Sequence, residues 1–107
     1  YLSNSGRDLI YEYINSLPEA EKIDGYTVLQ HMEKGEFDKI LFKRWEKKVY
    51  EVYFQKNNRV FYITVDKENI YLLHSCRKQK NKTEKKDANI VRKRAKELGN
   101  MLGRKFI

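Results

Sequence analysis

At 107 residues the chain has the length of one domain, enough to bury roughly 60–70% of its unfolded surface without metals or cross-links. Hydrophobic residues make up 40% and aromatic residues 13%, which sustains a packed core beside 36% charged residues. A single cysteine, Cys76, excludes an internal disulfide and a Cys-based zinc site, no apolar run approaches the ~20 residues of a membrane span, and the net charge of +8 favours polyanionic partners.

Tyr1 to Gly6 reads as the end of a strand followed by a turn, and with no initiator Met a few residues are expected upstream. No signal peptide is read, so the cytoplasm is the expected compartment. From Arg7 to Ser16 the residues Leu9, Ile10, Tyr13, Ile14 and Leu17 recur with the spacing of one helical face. Pro18 ends that helix and suits the first turn of a second, with Glu19 and Glu21 placed favourably against the helix dipole. Ile23, Tyr26, Val28, Leu29 and Met32 carry the second helix to about Lys34, Gly25 weakens it, and Gly35 stops it. Phe37, Ile40 and Phe42 lead into Trp45 as a short strand or an extended loop on the sheet. Val49 to Gln55, Arg59 to Val65 and Ile70 to Ser75 are strand patterns, with a turn predicted at Asn57-Asn58 and another over Asp66 to Asn69. Joined this way they form an antiparallel meander. Thr83 or Asp87 is the expected cap of a last helix, whose apolar face is Val91, Ala95, Leu98 and Leu102. The order predicts one α+β domain over residues 1–107: a small twisted antiparallel sheet, two N-terminal helices and a C-terminal helix, with the helices on one face.

Charge is distributed unevenly along this order. Between Arg77 and Lys96 ten Lys/Arg stand against Glu84 and Asp87, so this one stretch carries the formal net charge of the whole chain. Residues 1–36 hold three basic and seven acidic side chains. A field focused on a strand exit and a helix attracts nucleic acid, although a solvated helix face has the same composition.

Three segments together resemble a known family. YEYINSLPE resembles the helix and Leu-Pro junction of HigB-type toxins of the RelE/ParE superfamily, and VYEVYF-QKNN-RVFYITV resembles their central hairpin. IYLLHSCRKQKNKTEKKDANIVRKRAKEL is similar to their closing strand, basic loop and C-terminal helix. The likeness covers roughly residues 9–100. There are departures: Tyr53 stands where the family's hairpin strand ends in Arg, Glu84 stands where Pro follows the Lys-Thr pair, and the first strand is largely absent before Ser5.

The resemblance implies a RelE/ParE-like fold and the toxin half of a type II toxin–antitoxin pair, a ribosome-dependent endoribonuclease acting on messenger RNA. It implies no metal and no cofactor, no membrane, and a HigA-like helix-turn-helix antitoxin forming a heterotetramer on operator DNA. Metal-free RNA cleavage by the 2′-hydroxyl needs a base, cations for the phosphorane and an acid for the leaving oxygen. Arg59, Arg77, Lys78 and Lys80 are the cationic candidates, and Arg59 with Arg77 would grip a phosphate from two sides if they face one concavity. His74 is either an acid–base group or a half-buried core histidine, since alternation puts it on the face of Ile70 and Leu72. A Lys crowded by cations is another base. Glu51 and Tyr53 share a face opposite Tyr50, Val52 and Phe54, as a base and a stacking or proton-donating group or as an ordinary exposed face. Lys82, Lys85, Lys86, Arg92, Lys93 and Lys96 are the expected RNA and ribosome contacts. His31 reads as structural or exposed, and Cys76 as a small packing residue. Two other readings stay open: a ParE-like topoisomerase inhibitor, and a non-catalytic basic nucleic-acid-binding module.

Overall fold

Ile10 and Ile14, one helical turn apart and fully buried, define the inner face of α1 (Asn4–Asn15). The computed structural model describes residues 4–67, 69–78 and 83–107, with side chains from residue 9 onward. The helix begins earlier than its apolar spacing predicts, so residues 4–6 belong to α1 and not to a turn. The rest of the predicted strand end, residues 1–3, lies outside the described residues. Pro18 sits just before α2 (Glu19–Glu33), as expected of a residue with fixed φ and no N–H to leave unpaired. Gly25 has a packing reason: a Cβ there would lie 3.1 Å from the Phe54 ring and 3.2 Å from Ile14. Its absence lets α2 lie close on the sheet, which outweighs the helix propensity lost. Gly35, at φ +72°, turns the chain away after α2.

A 3-10 turn (Phe37–Lys39) then leads into β1 (Leu41–Glu46), β2 (Val49–Phe54), β3 (Asn58–Thr64) and β4 (Ile70–Arg77). The sheet order is β1-β2-β3-β4 with every pair antiparallel. The ambiguous stretch before Trp45 is therefore an edge strand, and the meander has four strands among the described residues. The hairpin turn falls one residue earlier than predicted, on Lys56 and Asn57 at φ +62° and +64°. Asn58 already begins β3 and is buried.

Helices cover both faces of the sheet, not one. Ile10, Ile14, Leu29 and Met32 pack with Val52, Val60, Tyr62 and Leu72 on one side. On the other, Val91, Ala95 and Leu98 of α3 (Lys85–Leu102) pack with Phe61, Ile63 and Leu73. Val60 to Ile63 is an unbroken buried run, the pattern of a strand covered on both faces. Leu102 lies outside this contact and is partly exposed. Neither expected cap serves α3: Glu84 holds the N-cap position with no side-chain hydrogen bond. Thr83 Oγ1 instead accepts a 3.0 Å hydrogen bond from Trp45 Nε1, and Asp87 sits inside the first turn. Among the described residues no helix is long and apolar enough to cross a membrane.

Candidate nucleic-acid interface

Pleating puts Leu41, Lys43 and Trp45 of β1 on the α3 face, opposite Tyr53 and Glu51 of β2 in the pairs Leu41↔Tyr53 and Lys43↔Glu51. Tyr53 in turn pairs with Arg59 of β3, so two adjacent rows of chemistry-bearing side chains cross the sheet. α3 packs mainly over the β3–β4 side of this face and reaches β1 through Arg92, which pairs with Glu46.

Glu51 anchors the two rows. Its side chain has no exposed surface, and Lys78 Nζ, itself 4% exposed, donates to its two carboxylate oxygens at 3.0 and 3.4 Å. Arg59 Nε approaches Glu51 Oε1 at 3.2 Å, an ion-pair distance, but the N–H is not aligned on the oxygen and makes no hydrogen bond. The Arg59 guanidinium lies 4.6 Å from the Tyr53 ring centroid and donates to the Asn58 carbonyl at 3.2 Å. One carboxylate thus holds two cations, one of them against an aromatic ring. Removing it would leave both buried without a counter-ion.

Beside Glu51 and Lys78 opens a cavity of about 370 Å³, also lined by Lys43, Arg44, Trp45, Glu46, Thr83 and Arg92 among others; Tyr53 and Arg59 lie outside its lining. Arg92 is committed to Glu46 through two hydrogen bonds of 2.9 and 3.0 Å and lies 5.3 Å from the Trp45 ring centroid. The guanidinium holds the Glu46 carboxyl below the usual carboxylate range. Lys43 and Arg44 are exposed and make no ion pair among the described residues. The cavity therefore offers one uncommitted cation, Lys43, on the face of Glu51 and Lys78, while Arg44, paired with Tyr50, belongs by the same pleating to the opposite face. Lys43, Arg44, Trp45 and Thr83 were not singled out from the sequence. The period-two placement of Lys43 between Leu41 and Trp45 was the available signal, obscured because β1 did not read clearly as a strand.

Four predicted residues, Glu51, Tyr53, Arg59 and Lys78, come together here. Arg77 does not join them. Arg59 pairs with Cys76 and Arg77 with Asn58 across β3–β4, which puts the two arginines on opposite faces. Arg77, 43% exposed, donates to buried Glu21 of α2, which also accepts a 2.9 Å hydrogen bond from Asn58 Nδ2. The Tyr13 hydroxyl donates to Asn58 Oδ1, and burial pushes the Tyr13 phenol up despite the neighbouring Arg77. The two-sided grip on a single concavity is thereby corrected.

His74 is also re-aimed. The register slips between Phe61↔His74 and Tyr62↔Leu72, leaving Leu73 as a bulge and turning His74 onto the α3 face, away from Ile70 and Leu72. It stacks on Phe61, its Nε2 lies 2.8 Å from Asp87 Oδ1, and Arg94 donates to the neighbouring Leu73 carbonyl at 2.6 Å. His74, Cys76 and Asp87 bring their donor atoms within 4.8 Å of one another and are the described residues that can converge on one metal ion. Cys76 is buried, and that burial pushes its thiol up to about 12. His31 pairs with Glu36 at 3.1 Å. Lys85, Lys86, Lys93 and Lys96 are exposed along α3, while Lys80 and Lys82 lie outside the described residues.

Compared with known proteins, residues 12–96 match the family model described as phage derived protein Gp49-like (DUF891). No curated protein and no solved structure matches the chain.

Proposed function

Because the chain belongs to the phage-derived Gp49-like family, a RelE/HigB-like toxin family of toxin–antitoxin systems, we propose that it is a ribosome-dependent endoribonuclease cutting messenger RNA. The observation that supports this reading is the Glu51-anchored pair of cations, of which Lys78 lines the cavity beside Lys43 and Arg59 stands one row away against Tyr53. In the reaction the 2′-oxygen attacks the adjacent phosphorus and the bond to the 5′-oxygen breaks, giving a cyclic phosphate and a free 5′-hydroxyl. The 2′-hydroxyl gives its proton to solvent water, and another proton reaches the departing oxygen. Lys78 and Arg59 stabilise the charge that builds on the phosphorane, and Tyr53, beside Arg59, is the proton donor to the leaving oxygen.

Glu51 is enclosed by its two cations and His74 is held between Phe61 and Asp87, so neither stands free to take the 2′-proton. The chain supplies charge more than acid–base chemistry, and placing the 2′-hydroxyl in line falls to the ribosome, an orientation effect. That same enclosure favours a second reading, a non-catalytic basic RNA-binding module. Adding the protein to a translating extract separates the two: cuts within reading frames that vanish when ribosomes are removed support the endoribonuclease. Rapid cutting of bare RNA removes the ribosome from the reading, and binding without cuts in either setting leaves the module. The partner implied by the family is an antitoxin. The proposed form is a helix-turn-helix protein that assembles with the toxin as a heterotetramer on operator DNA.

A further inference from the structure

One row along the sheet from Lys43 and Glu51, a second cleft of about 540 Å³ opens where β1 begins and the β2–β3 hairpin turns. The two rows are two residues apart on each strand, about 7 Å by strand rise. Leu41, Tyr53, Gln55, Lys56, Asn57 and Arg59 line the cleft among others. Leu41 is 65% exposed beside its cross-strand neighbour Tyr53, so an open aliphatic side chain stands next to a half-buried aromatic ring that carries the Arg59 guanidinium on one side.

The hairpin is fastened by its main chain. Gln55 N donates to Asp24 at 3.1 Å, the Gln55 carbonyl accepts from Asn58 Nδ2 at 2.6 Å, and the Asn57 carbonyl accepts from Lys78 N at 2.9 Å. Its side chains are not so tied: those of Gln55, Lys56 and Asn57 are exposed and make no hydrogen bond among the described residues. A backbone fastened at three points therefore presents two uncommitted amides and an ammonium at the rim of a cleft of mixed polarity, which also contains Asp24 and Lys39 and which Arg59 borders.

We propose that this cleft seats an unstacked RNA base next to the phosphate held at Lys78, with Gln55 and Asn57 reading its hydrogen-bonding edge. The inference rests on the RNA-cleaving reading and adds the base-selecting subsite to it. Stacking on Tyr53 and Leu41 accepts any base, because every base has an apolar face. Amides offer a donor and an acceptor side by side, so they distinguish one edge from another. Lys56 meets the phosphate beyond the base.

The test uses a Gln55→Ala, Asn57→Gly double variant. Glycine tolerates the positive φ at residue 57 and removes only the amide. In a translating extract the parent is expected to favour one base beside the cut by roughly tenfold or more, and the variant to lose that bias as cutting at the favoured base falls toward the level at the others. In parallel, fluorescence anisotropy follows binding to short single-stranded RNAs that differ at one base. The variant loses discrimination there, whereas Lys78→Met weakens binding to every RNA alike. A parent that cuts nothing but discriminates between RNAs through Gln55 and Asn57 removes the nuclease reading and keeps the subsite. A parent without base preference in both assays, a variant with the parent's bias, or a folded variant that loses all cutting overturns the subsite.

Discussion

The Glu51 carboxylate, without exposed surface, lies 3.0 and 3.4 Å from the ammonium of Lys78, the first residue after β4. A strand in the middle of the chain is thereby tied to the start of its most basic stretch. Glu51→Ala leaves Lys78 and Arg59 without their counter-ion and is expected to cost about 3–5 kcal/mol of stability. A Glu51→Met, Lys78→Met double variant leaves Arg59 alone without its counter-ion and is expected to recover part of that loss. Urea denaturation of the parent, Glu51→Met, Lys78→Met and the double variant measures the coupling. A near-additive cycle would mean that the pair contributes nothing beyond its two side chains.

The opposite faces of Arg59 and Arg77 predict different outcomes for the two substitutions. Arg59→Ala is expected to lower cutting in a translating extract by roughly 10²–10³ while the protein stays folded. Arg77→Ala leaves Glu21 short of a partner on the far face and is expected to cost about 1–3 kcal/mol with cutting retained. Circular dichroism and the cleavage assay on each variant decide the matter. Loss of cutting in a fully folded Arg77→Ala protein would return that residue to the site.

Burial at Cys76 gives a chemical prediction. With its thiol pushed up to about 12 from 9.0, the native protein is expected to react with a disulfide reagent at neutral pH only through unfolding. The sign follows from the proton: the folded state holds it more tightly, so this stabilising contribution is complete below 9.0 and lost as pH rises toward the folded value. Reaction rates with and without denaturant test it. Equal rates would place the thiol in solvent.

At the other end of the pH scale, Glu46 is held below its usual 4.5, first by the hydrogen bonds from Arg92. Its contribution is present above that value and disappears as pH falls through the lower, folded one. The pair is partly exposed, so Arg92→Ala is expected to cost only about 0.2–1 kcal/mol at neutral pH and nothing measurable in strong acid. Denaturation midpoints at the two extremes show whether the difference closes.

The exposed lysines of α3 bear on the antitoxin. Long-range attraction is expected to speed association at low salt and to fade as the screening length falls to about 8–10 Å near physiological ionic strength. Lys85, Lys86 and Lys93 are exposed, whereas Arg92 is spent on Glu46. A Lys85→Glu, Lys86→Glu, Lys93→Glu variant should therefore associate more slowly and with a flatter salt dependence. Identical rates and salt slopes for variant and parent would move the contact to the acidic front helices.

Sequence alone determined the number and kind of elements wherever the pattern was local. The spacing of Ile10 and Ile14, the Pro18 break, the strand runs of β2 and β3 and the Val91/Ala95/Leu98 stripe all read directly into structure. Each reflects a periodicity set by a few neighbouring residues. Charge concentration after Arg77 was legible for the same reason, as was the shared face of Glu51 and Tyr53. What joins Glu51 to Lys78 was not legible, because 27 residues separate them and the contact depends on where β4 ends. The facing of His74 was undecidable from alternation, since a bulge at Leu73 reverses the pleat and a bulge is set by pairing with β3. Arg59 and Arg77 fall on opposite faces because Arg59 pairs with Cys76 and Asn58 with Arg77. Whether one face of the sheet is covered or both was likewise a tertiary decision. The same apolar run of β3 serves either arrangement until α3 docks on it, and the candidate site lies beside that docking.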